Sequence, residues 1–389
     1  MLFAAWPRAL KPVVLHSVNP YLFRTGSWVY GQVSKLRRWK PVVVSTKREN
    51  MDEFPLDDVH AWVDLPAPRR WFERTLKSLN GGYFPFMVRV ARSSGARLLH
   101  SHFAGKGWKD LPLARASGLP HVSSFYGADI WVNARSEKWH ARFAQLFERG
   151  DLFLVEGGAM KAKVVSLGCP SEKVLVQHLG VDLGAVAFRE RRAPEDGLVR
   201  VLICGRATAK KGHELGIRAF ARARRDNSKL RLSAMLLAVD DEQRREVARL
   251  EELVRELGLE DCVDFPPPLP YSAWRKSLER YHIFLAPSLH APDGDAEGGA
   301  PVALIDMSAQ GIPIAASSHC DLPEVVPHDV GGLVFPEGDE TAAATTLLEM
   351  AGRPQDWPRW GRDGRAHVEA QYDADRQAAA LERIYDRFA

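Results

Sequence analysis

Residues 297–306 place three kinds of chemical group within ten positions. Glu297 is acidic, and the glycine pair Gly298–Gly299 that follows it allows a ligand to approach the backbone closely. Pro301 opens an apolar segment, and proline suits a helix start because its missing N–H is not needed there. The free N–H groups of a helix start attract phosphate. Asp306, about one and a half turns further on, could accept hydrogen bonds from hydroxyls, so the segment predicts a sugar-nucleotide site.

A second segment carries the cations that such a ligand needs. Residues 198–204 form an apolar run that predicts a buried strand, and Gly205 and Arg206 follow at its end. Lys211 comes next, just before a helical pattern, and ligands of open α/β sheets bind at this end of the strands. Arginine holds phosphate with a planar fork of donors and lysine with a point charge. A solvated turn and an ordinary capped helix would show the same residues, but the two segments together predict one cleft.

Alternating strands and helices must position these residues. Strands are predicted at residues 13–15, 42–44, 97–100, 122–125, 198–204, 230–239 and 282–286, and helices near 26–38 and 241–257. Such alternation predicts parallel sheets with helices on both faces. It occurs on either side of the polar run at residues 189–197, which predicts an α/β protein of two domains with its boundary in that run.

The order and spacing of the motifs resembles the family-4 retaining glycosyltransferases, which have the GT-B fold. The similarity runs from about residue 13 to the C-terminus and is densest after residue 151. The segments that carry it are residues 151–160, 167–170, 176–182, 205–206, 211–212, 286–288, 293–301, 322–326 and 331–336. Residues 151–182 and 293–301 are most similar to capsule, exopolysaccharide and colanic-acid-type members.

The resemblance implies two Rossmann-like domains whose parallel sheets face a deep interdomain cleft. Residues 1–190, joined by a C-terminal helix at about residues 373–389, would bind the acceptor. Residues 191–372 would bind the nucleotide sugar. The implied reaction moves a hexose-type sugar from a UDP- or GDP-linked donor to a saccharide or lipid-linked saccharide, with retention and with neither a metal nor another cofactor.

The resemblance also assigns roles. Arg206 and Lys211 would stabilise the charge on the leaving diphosphate, Glu297 would hold donor-sugar hydroxyls, and Asp306 would hold the ribose. The implied catalytic residues are Arg206, Lys211 and Glu297, and the implied donor-binding residues are Gly205, Gly298, Gly299, Ala300, Pro301, Val302 and Asp306. The acceptor hydroxyl could lose its proton to a donor phosphate oxygen, so no side-chain base is required.

Three departures from the family pattern matter. Eight residues separate Glu297 from Asp306, one more than the usual spacing, and the second acid is Asp rather than Glu. Tyr126 stands where the family often has a histidine that contacts the donor sugar. No glycine pair follows the first strand, so Gly26 is the candidate for that position.

The predicted acceptor side of the cleft comprises Gly26, His102, Tyr126 and Asp129. His102 ends a predicted strand, and similar His-x-His strand ends in the family face the cleft. A histidine there could orient an acceptor hydroxyl or carry a proton near neutral pH. His100 and His102 would be equally at home as hydrogen-bonded residues on one strand face.

Composition is that of a globular protein of two or three domains, with 46% apolar and 26% charged residues in 389. Four widely separated cysteines indicate neither a zinc site nor a disulfide framework. The start, Met1–Arg8, is too short and too soon charged for a signal peptide. No stretch approaches the roughly 18 apolar residues of a membrane-spanning helix, so we expect a cytoplasmic protein.

Charge is divided unevenly along the chain. Residues 1–190 carry 27 Lys and Arg against 16 Asp and Glu, a net charge of +11, whereas residues 191–389 carry 26 against 33, a net charge of −7. No nucleic-acid motif accompanies the basic half, but an anionic membrane surface suits an enzyme with a lipid-linked acceptor. Residues 37–40 and 69–72 mix cations with aromatics, as interfacial segments and solvated helix faces both do. These patterns predict peripheral association with the inner face of the cell membrane.

Two alternatives to the transferase stay open. A GT-B epimerase or phosphorylase would share part of the motif set. A non-catalytic GT-B scaffold that binds a sugar nucleotide is favoured by Tyr126 and Asp306, and it is disfavoured by the presence of Arg206, Lys211 and Glu297.

Overall fold

The first part of the chain forms a seven-stranded sheet in this computed structural model, which describes residues 11–23, 26–267, 269 and 271–389. The strands are β1 (Val13–Ser17), β2 (Lys40–Ser45), β3 (Val59–Ala61), β4 (Ala96–His102), β5 (His121–Ser124), β6 (Leu152–Val155) and β7 (Val174–Val176). They are parallel and lie in the order β3-β2-β1-β4-β5-β6-β7. The helices around them are α1 (Ser27–Ser34), α2 (Ala67–Leu79), α3 (Pro85–Ser94), α4 (Ala104–Ser117), α5 (Ala128–Trp131), α6 (Glu137–Arg149) and α7 (Gly158–Ser166).

A second parallel sheet follows, in the order β10-β9-β8-β11-β12-β13. Its strands are β8 (Val199–Arg206), β9 (Leu230–Leu237), β10 (Val263–Asp264), β11 (Ile283–Ala286), β12 (Ile314–Ser317) and β13 (Gly332–Phe335). The helices of this part are α8 (His213–Asp226), α9 (Asp241–Glu256), α10 (Tyr271–Ser277), α11 (Val302–Ala309), α12 (Leu322–Val325), α13 (Glu340–Gly352), α14 (Trp357–Gln371) and α15 (Ala374–Tyr385).

Apolar patterning accounts for these elements. β1, β5, β6, β11 and β12 are buried along their whole length, as expected of parallel strands covered by helices on both faces. α9 turns Leu250, Leu253 and Val254 into the core. It begins after Asp240, whose carboxylate accepts a hydrogen bond from the Gln243 N–H and so caps the helix.

The predicted two-domain α/β architecture is confirmed. Each predicted strand is present, and the helix predicted at residues 26–38 is shorter, since α1 ends at Ser34. The predicted boundary between residues 190 and 191 falls between β7 and β8, and the division itself stays a prediction. The expectation about Met1–Arg8 lies outside the described residues.

The polar run at residues 189–197 contains one residue that belongs to the interior. Arg191 is 3% exposed, and its guanidinium donates to the backbone carbonyls of Arg189, Leu278, Tyr281 and Gln310. Burial lowers the pKa of Arg191 to about 10. The connection between the two sheets is therefore anchored by a buried cation.

The helix α15 crosses back to the first sheet, as the resemblance implied. The backbone of Val181 pairs with Tyr372 and Ala374, which joins the two crossing segments. Tyr385 is fully buried, and its hydroxyl lies 2.5 Å from Nδ1 of His100 in β4. This helix thereby closes the core of the first domain.

Glu382 of α15 makes the tightest polar contact of this crossing. It is 3% exposed, and its Oε1 accepts hydrogen bonds from the backbone N–H groups of Arg37 at 2.7 Å, Arg38 and Trp39 at 3.0 Å. The Arg38 guanidinium adds ion pairs to Glu382 and Asp386. One buried carboxylate thus satisfies three N–H groups that precede β2.

This arrangement corrects one prediction. Residues 37–40 are not an interfacial segment, because Trp39 is 1% exposed and donates its indole N–H to Asp386. Arg37 pairs with Asp375, and Arg38 pairs with Glu382 and Asp386. Arg37 and Arg38 fasten α15, and Lys40 pairs with Asp58, so these cations are not available to a membrane in the way that we predicted.

We expect Glu382→Ala to lower the free energy of unfolding by about 3 kcal/mol, because it leaves the backbone N–H groups of residues 37–39 without their acceptor. Urea denaturation followed by circular dichroism measures this loss. Glu369→Ala, which removes the exposed i,i+4 partner of Arg365, is the control and should change stability by less than about 0.5 kcal/mol. Equal losses in the two variants would contradict the role given to Glu382.

Candidate functional site

Loops at the carboxyl ends of the two sheets meet across a narrow seam. A Cβ placed on Gly298 would lie 2.3 Å from Cα of Gly127, and one placed on Gly299 would lie 2.0 Å from Cβ of Glu156. Ala159 also donates its N–H to Asp321 across the seam at 2.6 Å. The sequence predicted that a ligand approaches the glycine pair closely. In the structure Gly298 and Gly299 lie instead against Gly127 and Glu156 of the first domain. Its role in donor binding stays a prediction.

The centre of the site is a buried ion pair. Lys211 Nζ lies 2.6 Å from Oε1 of Glu297, and Ser288 Oγ donates to the same oxygen at 3.1 Å. Glu297 is 6% exposed. Burial alone would raise the pKa of Glu297, but Lys211 and Lys210 outweigh it and lower the pKa below the usual value. The structure therefore brings together two of the three predicted catalytic residues, with Glu297 as a carboxylate.

Arg206 lies at the end of β8, beside this pair. Its neighbour Gly205 has φ of +150°, and a Cβ added there would lie 3.5 Å from the Lys211 side chain. Arg206 is exposed, and within the described ranges no side chain pairs with its guanidinium. An unpaired guanidinium next to a strand end can bind an anion without first giving up a protein partner.

Two further residues hold Glu297 in place, and neither was predicted from the sequence. Lys210 is buried and holds the acidic loop in place, since its Nζ contacts Asp295 and the carbonyl of Ala296 at 3.1 Å. His319 accepts a hydrogen bond from the Glu297 backbone N–H at its Nε2, at 3.1 Å. Lys210 adjoins the predicted Lys211 in sequence, but nothing in the pattern distinguished the lysine that binds the loop from the one that pairs with Glu297.

His319 belongs to a small network on the second domain. Its Nδ1 lies 2.9 Å from Glu337, which also receives the backbone N–H and ring of His290. Because Nε2 accepts from Glu297, the proton of a neutral ring is on Nδ1 and is donated to Glu337. Burial lowers the pKa of His319 despite Glu337, so the ring is neutral at pH 7. The network thus holds the backbone of Glu297, whereas Lys211 holds its carboxylate.

Asp306 lies in α11 and is 1% exposed, with Arg275 Nη2 at 3.3 Å from its Oδ1. Pro301 is the N-cap residue, and α11 begins at Val302, close to the predicted start. Ala300 packs into the apolar core of the second domain, so its side chain supports the loop. The predicted ribose contact of Asp306 would be made by a carboxylate that Arg275 already orients.

A cavity of about 540 Å³ lies between the domains near this end of the site. It is lined by Ser27 and Trp28 of α1 on one side and by Arg275 and Val302 on the other. Gly26 precedes α1, and a Cβ there would lie 2.7 Å from Leu22. Glycine is thus required at position 26 for packing of the loop, and its approach to a donor stays a prediction.

On the acceptor side, His102 does not reach the cleft surface. Its ring is fully buried, with Nδ1 at 2.6 Å from the Tyr126 hydroxyl and Nε2 at 3.1 Å from His16 Nδ1. Tyr126 is partly exposed and also contacts Gln32 at 3.3 Å. Burial lowers the pKa of His102 to about 3. His102 can therefore act on a substrate only through Tyr126.

Asp129 serves as a link between loops. Its two oxygens accept the backbone N–H groups of Ala104 and Tyr126, at 2.8 and 2.9 Å. Burial raises the pKa of Asp129 to about 6. Glu156, which motif reasoning passed over, lies at the same seam, and burial together with Asp129, Asp321 and Glu297 raises its pKa well above the usual value. Its neighbours come from distant segments, so only the fold reveals this acid cluster.

Two groups in the described part of the chain could hold a metal ion by distance. Their ligand atoms lie within 4.8 Å of one another, and they are His16, His100 and His102, and His290, His319 and Cys320. His100 and His102 use both ring nitrogens in protein hydrogen bonds, and Glu337 bridges the two histidines of the second group. These groups therefore have structural partners, and metal independence stays a prediction.

Comparison with known proteins accounts for this architecture. Residues 29–185 match Glycosyltransferase Family 4, and residues 187–367 match Glycosyl transferases group 1. The amylovoran biosynthesis glycosyltransferase AmsK of Erwinia amylovora is 30% identical over 292 residues, which cover 75% of this chain and 70% of AmsK. WcaL of Salmonella typhimurium, described as a putative colanic acid biosynthesis glycosyltransferase, is 33% identical over 227 residues, which cover 58% of this chain and 54% of WcaL.

Solved structures share the fold at low sequence identity. Anabaena Alr3699/HepE in complex with UDP has a TM-score of 0.76 at 13% identity, covering 97% of this chain and 100% of that chain. Sucrose-phosphate synthase from Thermosynechococcus elongatus has a TM-score of 0.73 at 18% identity, covering 97% of this chain and 99% of that chain.

The two facing parallel-sheet domains and these matches define a glycosyltransferase of the GT-B architecture. The chain belongs to the family-4 glycosyltransferases, with its later half in the group 1 set. The resemblance that the motifs predicted, to members that build exopolysaccharide and colanic acid, is confirmed.

We expect His319→Leu to lower kcat about tenfold or more while changing the affinity for nucleotide little, because Glu297 loses the acceptor of its N–H. His319→Gln can still accept that bond and should recover most of kcat. In the wild type, protonation of His319 at acid pH removes the acceptor, so kcat should fall as the pH drops below the ordinary histidine value of about 6.5. The Gln variant should show a weaker fall. Identical pH profiles in the two proteins would contradict this role.

Proposed function

We propose that the protein transfers a hexose-type sugar, with retention, from a UDP- or GDP-linked donor to a saccharide or lipid-linked saccharide during surface polysaccharide synthesis. The observation that carries the proposal is the buried Lys211–Glu297 pair beside the unpaired Arg206 at the carboxyl end of β8. This arrangement places cations that can bind a diphosphate next to a carboxylate that can bind sugar hydroxyls. HepE, which shares the fold, was solved with UDP and with UDP-glucose, and AmsK and WcaL are described as polysaccharide enzymes, which supports the donor and acceptor classes.

The proposed mechanism uses fixed charge rather than a side-chain base. As the bond between the sugar and the diphosphate breaks, negative charge grows on the phosphate oxygens, and Arg206 and Lys211 stabilise it. Such preorganised stabilisation commonly contributes more to catalysis than any other single effect. The contacts of Glu297 with Lys211 and Ser288 both engage Oε1, so Oε2 is the oxygen assigned to the sugar hydroxyls. The acceptor proton passes to a phosphate oxygen.

The second candidate is a scaffold that binds a sugar nucleotide without turnover, and Tyr126 is the observation that favours it. Tyr126 replaces the family histidine, and its hydroxyl is engaged by His102 and Gln32. Thermal shift with UDP and GDP identifies the base, because a ligand that binds the folded state raises stability. Incubation with the matching nucleotide sugars and an acceptor extract then separates the two functions. A transferase releases free nucleotide in this assay, whereas a scaffold binds the nucleotide sugar without cleaving it.

We expect Arg206→Ala and Lys211→Ala each to raise the barrier to transfer by about 2–4 kcal/mol, which lowers kcat by roughly 30- to 1,000-fold. Arg245→Ala removes an exposed cation of α9 in the same part of the chain and should leave kcat unchanged. Circular dichroism should show all three variants folded. Turnover near the wild-type value in both site variants would rule out the assignment to the leaving group.

We also propose that the first domain associates with an anionic membrane through α2. Within the described residues no helix has the length and apolar character needed to span a bilayer. On α2, however, Trp71, Phe72 and Leu79 are 71%, 54% and 76% exposed. Arg69 is exposed next to them, and Arg74 and Lys77 lie on the same helix. Exposed aromatics beside cations are typical of helices that lie in a membrane interface.

We expect the protein to co-sediment with phosphatidylglycerol vesicles at low salt and to be released as salt rises, because attraction of cations to anionic lipid is screened. Trp71→Ser combined with Phe72→Ser should abolish most of this binding, and Arg69→Ser should weaken it. Arg37→Ser removes an equal charge from the segment that holds α15 and is the control, which should bind as the wild type does. No binding at low salt, or equal binding by the Trp71/Phe72 variant, would contradict membrane association and favour a soluble acceptor.

A further inference from the structure

A second cavity, of about 600 Å³, opens in the first domain. It lies at the carboxyl edge of β1 and β2, where Asn19 and Lys47 line it, and its outer wall is the cavity-facing side of α2. The remaining wall includes Trp62 and the turn Gly81–Gly82. The cavity is therefore on the edge of the sheet that faces the second domain, although it is separate from the Lys211–Glu297 pair.

The lining of this cavity is one-sided in charge. Among the residues that the structure describes, its lining includes the three cations Lys47, Arg74 and Lys77 and no aspartate or glutamate. Lys77 Nζ lies 4.5 Å from the centre of the Phe84 ring, and none of the three cations forms an ion pair with a residue in the described ranges. Burial and the cations Lys109, Lys106 and Arg74 together lower the pKa of Lys77. The three cations therefore lie together without a carboxylate partner in the described ranges.

Uncharged groups complete the lining. Trp62 borders the cavity, and so does the turn Gly81–Gly82, which has φ of +75° and +107°. A Cβ added to Gly82 would meet nothing within 4 Å, but the N–H of Gly82 already donates to the carbonyl of Lys77 at 3.0 Å. The cavity therefore has room beside this turn, and its three cations are the groups that would bind phosphate oxygens.

The cavity shares a helix with the proposed membrane surface. Arg74 lies three residues after Trp71, and Lys77 three residues after Arg74, so the cations are within two turns of the exposed aromatics. We propose that this cavity binds the phosphate or diphosphate through which the acceptor saccharide is joined to its lipid, with Lys47, Arg74 and Lys77 as the cations that hold it. The inference rests on the proposed lipid-linked acceptor, and it adds a second anion site that is independent of the donor site.

Calorimetric titration with inorganic pyrophosphate tests the site directly. The titration is made in a Lys211→Ala background, so that the donor site contributes little. We expect binding of about one pyrophosphate that weakens at least tenfold when Arg74→Ser and Lys77→Gln are added. Arg97→Ser, which removes an exposed cation at the opposite edge of the same sheet, is the control and should bind as the background does. Absence of binding in the background, or equal binding in the Arg74/Lys77 variant, would overturn the proposal.

Vesicle binding distinguishes a phosphate site in the cavity from a general attraction of the same cations to the bilayer surface. If Arg74→Ser and Lys77→Gln release the protein from phosphatidylglycerol vesicles but pyrophosphate binding is unchanged, the cations serve the bilayer surface and the cavity proposal fails. If pyrophosphate binding is lost in that variant while Trp71→Ser and Phe72→Ser leave it intact, the cavity is a phosphate site distinct from the membrane surface. Pyrophosphate binding requires no turnover, so failure of the proposed transfer reaction would not be mistaken for failure of this site.

Discussion

The buried pair of Lys211 and Glu297 is the interaction on which the rest of the site depends. Glu297 is only 6% exposed, and it stays a carboxylate because Lys211 pairs with it. The surrounding residues keep that partner within reach. Lys210 holds the acidic loop at Asp295, and His319 accepts a hydrogen bond from the backbone N–H of Glu297. The strand end, the acidic loop and the loop after β12 are therefore arranged around one ion pair.

Much of the fold could be predicted because its signals are local. Apolar runs marked the buried strands, and the start of α11 followed from Pro301. The placement of Lys211 and Glu297 in one cleft could also be predicted, since each follows a strand and the carboxyl ends of parallel strands lie at one edge of a sheet. Spacing along the chain carried this information. The direct ion pair of Lys211 and Glu297 was not predicted.

What could not be predicted depends on contacts between distant segments. Trp39 and Arg38 have the composition of an interfacial segment, and only the return of Glu382 and Asp386 shows that they bind a helix. Gly298 has the composition of a ligand-binding loop, yet its neighbour is Gly127. The partners of His102 come from β1 and from the turn after β5. In each case the residue type is compatible with either an exposed functional position or a packed structural one. Only contacts with distant segments show which of the two it occupies.

The crossing of α15 has a consequence for how the protein is made. The ribosome synthesises the first sheet long before α15, but Trp39, His100 and the N–H groups before β2 are completed by Tyr385, Glu382 and Asp386. Domains generally fold as units during synthesis, the N-terminal one first. In this chain the first domain, although it is synthesised first, keeps an uncovered core until α15 has emerged from the ribosome.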